Sequence, residues 1–273
     1  SFLNDTLLAL QHLFRIGRAM SVSWFAGAVA FISTNDKSTG NLRAAIALKA
    51  WTELHRQIKV EQSESEDSED DVDPWDLKNK LGSLTIAAPE SDCRPPLPDY
   101  SKVTTIGYPD GLECPPAFVV EVDELPRGAG IEWQAMGLAG CDKLLQATSR
   151  HSNPATVPPT RRLWDLTCAK HTGQYFVWIA LQYNYRHYEG TIRCALNRAL
   201  AGQIPEHKLE EVLERDVHYT MYTTQKVDFR WMEEGRAIVV PCRRIWHAGK
   251  EQIFAVVLAR ICYEPKLDTW EDP

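Results

Sequence analysis

The chain has 273 residues, 44% of them hydrophobic and 25% charged, and its nine Trp, nine Tyr and eight Phe can supply a substantial core. The formal net charge is -7, but nine acids with no base among them sit in residues 61–76, which leaves 28 acids against 30 bases elsewhere. A near-neutral remainder excludes a general basic footprint for nucleic acid, and seven dispersed cysteines without a CxxC pair exclude a disulfide framework and predict reduced thiols in an intracellular protein, nuclear or cytoplasmic.

Residues 2–20 read as an amphipathic helix, because Leu3, Leu7, Leu10, Phe14 and Gly17 recur at spacings of three and four. Val22–Ile32 is small and apolar, which fits a buried helix or a buried strand. It is too short to span a bilayer, so no membrane role is expected. A loop from Ser33 to Gly40 precedes a helix over 41–60, striped by Ala47, Trp51, Leu54 and Ile58. The acidic tract 61–76 offers only Val72 and Trp75 for burial and reads as a disordered linker.

Strands are expected at Leu84–Ala88, Lys102–Tyr108 and Ala117–Val122, the last β-branched and apolar as an inner strand should be. Pro109-Asp110-Gly111 turns the chain between the last two. A helix over Ile131–Gln146 follows, then a loop over 149–160 and a strand over 174–185. Helices are predicted at 191–201 and 206–216, and a strand at 217–223. Two strand-like runs, Ala237–Trp246 and Gln252–Tyr263, flank His247–Glu251 as a hairpin. Together these predict an α+β fold with a mixed central β-sheet flanked by helices. Three segments follow: a helical N-terminal segment (1–60), the acidic linker (61–76) and an α+β core (77–273) that ends in the β-hairpin.

The order helix, strand, strand, strand, helix, strand over 41–185 resembles the PD-(D/E)xK nuclease superfamily. The motif residues are Pro98-Asp99 before the second strand, Glu121-Val122-Asp123 at the end of the third, and Gln134 on the following helix. The resemblance implies a nucleic-acid-binding or nucleic-acid-processing core, with Asp99, Glu121, Asp123 and Gln134 as catalytic positions. It also implies Mg²⁺ held by Asp99, Asp110 and Glu121, since hard carboxylate oxygens suit that ion and the ion activates water. The family's Lys falls at Asp123, whose sign is opposite. The resemblance therefore implies a rearranged site, with Lys143 as a candidate replacement, or a catalytically degenerate one. The competing expectation is a non-enzymatic interaction subunit whose N-terminal helices and C-terminal hairpin dock other proteins.

Other residues point to blander roles. Cys168 and His171, with His151 upstream, supply half a zinc site and no second pair at finger spacing; Cys242, His247 and Cys262 lie near one hairpin, but the two Cys need not face the same side, and unliganded residues are the reading in both cases. The aromatic run from Tyr175 to Tyr188 reads as core packing before base stacking. Arg230, Arg236, Arg243, Arg244 and Lys250 form a candidate basic face. No GxxxxGK[ST] or GxGxxG loop is present, which disfavours nucleotide-dependent chemistry.

Overall fold

The computed structural model describes residues 1–34, 37–64, 114–139, 146–151, 164–171, 174–183, 196–197, 199–202, 204–215, 217–225, 237–247, 250–252 and 254–263. The strands expected at 84–88 and 102–108, Asp99, Asp110, Lys143 and residues 65–76 of the acidic tract lie outside them.

The fold is α+β and has two mixed sheets. Helix α1 (Phe2–Ala19), strand β1 (Val22–Ser33) and helix α2 (Lys37–Glu64) open the chain. Strand β2 (Ala117–Val122), a 3-10 turn (Pro126–Gly128) and strand β3 (Ile131–Ala139) follow. Next come β4 (Gln146–His151), β5 (Trp164–His171), β6 (Gln174–Tyr183), helix α3 (Glu206–Arg215) and β7 (Val217–Thr223). The chain closes with β8 (Ala237–Pro241), β9 (Arg244–His247), β10 (Lys250–Gln252) and β11 (Ala255–Tyr263).

The first sheet runs β10-β9-β2-β1-β3 and the second β4-β5-β6-β11-β7-β8. β1 lies parallel to β2 and antiparallel to β3, so a strand from the first 60 residues sits between two strands that are neighbours in sequence. That position explains its composition. A central strand is covered on both faces, and Phe25 to Ala30 are all buried.

The elements stack in four layers. On one side of the first sheet lie α1 and α2, with Trp51 stacked on Trp133 at 5.3 Å and Phe14 edge-on to Phe25 at 5.1 Å. The other side packs on the second sheet through Phe118 against Trp178 (6.2 Å) and Tyr222 (5.3 Å). Side chains alternate along a strand, so Val177, Ile179 and Leu181 face away from Trp178 and Ala180. They pack there with Val212 and Leu213 of α3. Gly27 is required at the junction, because a Cβ there would collide with the Trp178 ring. His247 of β9, fully buried, places Nε2 2.9 Å from Asp165 Oδ2 of β5 and ties one sheet to the other.

Three expectations are corrected. The helix expected over Ile131–Gln146 is strand β3 over Ile131–Ala139, with Gln146 opening β4 and 140–145 outside the described residues. Its Glu, Gln, Ala, Met and Leu favour helix locally, but pairing with β1 decides the outcome, and register shifts at Val22/Trp24 and Phe25/Gly27 break the simple alternation. The single run Ala237–Trp246 is two strands in different sheets. Pro241 ends β8 without an N–H to give. Cys242 N then donates to Thr223 O (2.8 Å) in the second sheet and Arg243 N to Glu121 O (2.8 Å) in the first. Likewise Gln252–Tyr263 divides into the end of β10 and β11; the hairpin itself stands as β9–β10. Strand β5, and β4 reaching into the segment read as a loop from 149, have no counterpart in the expected elements.

Candidate functional site

The described part of the resemblance site lies at the C-terminal ends of the parallel strands β1 and β2, beside the start of α2. Glu121 is the penultimate residue of β2 and is 1% exposed. A buried carboxylate needs counter-charge and hydrogen bonds. Both come from distant parts of the chain. Arg244, its register partner on β9, donates Nε to Oε2 at 2.5 Å and Nη2 to Oε1 at 2.9 Å. Thr34, just past β1, donates its hydroxyl to Oε1 and accepts from Arg244 Nη2 at 3.2 Å.

Arg244 is itself fixed. Its guanidinium lies 5.1 Å from the Trp246 ring centroid, and Trp246 Nε1 donates to Asn41 Oδ1 at 3.1 Å. Gly40 of α2 lies so close that any Cβ would meet the guanidinium. Arg43 Nη1 donates to Ser33 O at 2.5 Å and stands over the Phe2 ring at 4.9 Å. The start of α2, the ends of β1 and β2, and β9 are thereby joined by one polar network.

The remaining predicted residues separate from this network. Asp123 is exposed and pairs with Arg243, which also donates to Thr34 O at 3.2 Å. Gln134 is exposed on β3 rather than on a helix. Glu121, Ile32 and Ile131 stand in one row across three strands. Gln134 is three residues beyond Ile131, which places it on the opposite face of the sheet from Glu121. Two members of the expected basic face, Arg243 and Arg244, spend their charge on Asp123 and Glu121. Among the described residues, no three His, Cys, Asp or Glu side chains form a group that could hold a metal ion.

Sequence reasoning assigned Arg244 only to a basic face and gave Thr34, His55 and Asp165 no role. The signal for Arg244 was cross-strand pairing, which is invisible until β9 is known to lie beside β2. His55, on α2, is buried between Phe14 and Trp51, and its Nδ1 lies 2.7 Å from Trp51 O. Burial lowers its pKa to about 4, against the opposing pull of that backbone hydrogen bond. Burial also pushes Tyr222 up to about 12, opposed by the charge of Arg260. Cys242 rises to about 12 for the same first reason, so its thiol is not primed as a nucleophile.

No described helix is long and apolar enough to cross a membrane. No family model, curated protein or solved structure matches the chain.

Proposed function

We propose that the protein is a non-enzymatic interaction subunit, in which the acids that resemble a PD-(D/E)xK motif hold the fold together. One observation carries this reading: both oxygens of Glu121 are taken by Arg244, with Thr34 as a third partner. A metal ion needs lone pairs facing an open, hydrated position. Here a fixed guanidinium occupies that side of the carboxylate. The second motif acid, Asp123, is engaged by Arg243 in a surface pair.

The test is a cleavage assay on single- and double-stranded DNA and RNA with Mg²⁺ or Mn²⁺, run beside thermal unfolding with and without the metals. The reading expects no cleavage and no metal-dependent rise in Tm. Metal-dependent cleavage that disappears in Glu121→Gln, with folding retained, would overturn it in favour of a nuclease. Binding of nucleic acid without cleavage would leave the non-catalytic core in place and identify the partner as nucleic acid.

A further inference from the structure

We propose that Arg260, Thr220 and His218 form a binding site for a phosphoryl group, on the face of the second sheet turned toward the first. Register brings them together. Arg260 of β11 is the direct partner of His218 on β7 and of Trp178 on β6, so the three share a face. Thr220 is two residues along β7 from His218 and lies on the same face.

Arg260 differs from the two arginines of the Glu121 network. Arg243 and Arg244 each have a carboxylate. Arg260, only partly exposed, forms no ion pair among the described residues. Its hydrogen-bond partner is Thr220 Oγ1, 3.3 Å from Nη2, and its buried Nε has no acceptor. A guanidinium drawn partly out of water without an anion is an uncompensated charge. Its influence is felt at the neighbouring Tyr222, whose phenol it pulls against the effect of burial.

The donors suit a tetrahedral oxyanion. Thr220 accepts from Arg260, which leaves its hydroxyl proton to donate outward. The guanidinium has further N–H groups beyond the one given to Thr220, and the exposed His218 is its register partner on β7. Several donors of differing reach match the three oxygens of a phosphoryl group better than the two of a carboxylate. The floor is rigid: Trp178 is buried beneath Gly27 and Tyr222 is packed against Phe31 and Phe118. Glu132 and Gln134 of the edge strand β3 stand opposite Phe31 and Val29 on the facing sheet, and both are exposed.

The experiment titrates the full chain with inorganic phosphate by calorimetry, with sulfate and acetate at matched ionic strength, and follows the arginine Nε resonances of ¹⁵N-labelled protein. Phosphate should bind saturably, shift one Arg Nε signal, and bind at least tenfold more tightly than acetate. Arg260→Met should lose at least tenfold in affinity with an unchanged circular dichroism spectrum. If that variant does not fold, Arg260→Gln, which keeps a polar head and loses the charge, carries the same expectation. Equal phosphate affinity in wild type and either variant, acetate binding as tight as phosphate, or no shifted Arg Nε signal would each overturn the assignment.

Discussion

Replacing Arg244 by Met leaves the Glu121 carboxylate 1% exposed and without its counter-charge. The Arg244 side chain is mostly secluded as well, 13% exposed against 2% for Glu121. Removing one partner of a buried pair costs about 3–5 kcal/mol. Thr34 still donates to Oε1, and Met fills much of the stem volume, so the lower half of that range, about 3–4 kcal/mol, is expected. Glu121→Gln should cost less, about 2 kcal/mol, because the amide oxygen can still accept from Arg244 or Thr34 and only the charge is lost. The double variant Glu121→Met, Arg244→Met should recover part of the loss, since neither charge is then buried alone. Urea unfolding at pH 7 with a shared m-value measures all four species. A loss below about 1 kcal/mol for Arg244→Met would refute the ion-pair account. So would a Glu121→Gln protein more stable than wild type, because removing one acid from a crowded metal site relieves repulsion in the metal-free protein.

Three other outcomes follow from the packing. His55 has a folded pKa of about 4 against an unfolded 6.5, so its contribution is fully present above pH 6.5 and is lost as pH falls toward 4; the full shift corresponds to about 3 kcal/mol, and His55→Gln should flatten that part of the pH–stability curve, whereas a parallel curve would reject it. Gly27→Ala drives a methyl into the buried Trp178 ring and should cost about 1–3 kcal/mol by urea unfolding; a neutral result would show that the sheets do not meet there. A protease site inserted between residues 64 and 117, once cut, should leave two fragments that co-elute, because β1 is hydrogen-bonded between β2 and β3; separation without denaturant would contradict the strand order.

The elements most legible in the sequence were those whose local pattern and tertiary role agree. Val217–Thr223 and Ala117–Val122 emerged with the expected ends because the β-branched and aromatic residues that favour a strand locally are also the ones packed between neighbours in the sheet. Helix α1 followed its three-and-four spacing for the same reason. Ile131–Ala139 failed because its residues are good helix formers and its strand state depends on β1, more than 90 residues earlier. Val22–Ser33 could not be resolved from periodicity alone. A strand buried on both faces shows no alternation, and the partners that make it a strand are far away.

The candidate site was half legible for a related reason. An acid at the end of an inner strand is chemically ambiguous: it can accept a cation from solvent or from the chain. Sequence supplied Glu121, but the decision between those roles lies 123 residues later, in Arg244. A motif reading weighs residues near one another in the chain, whereas electrostatic fate depends on whichever charge the sheet brings alongside. Had β9 carried an apolar residue at 244, Glu121 would stand at 1% exposure with Thr34 as its partner, and an external cation would be the natural compensation. The guanidinium makes such a cation unnecessary and, by lying against Gly40 and Trp246, leaves it no room on that side. The same logic, run in the other direction, points to Arg260: a charge that the fold carries into shelter without a carboxylate, and with a buried Nε that has no acceptor, is a place where an outside anion contributes most.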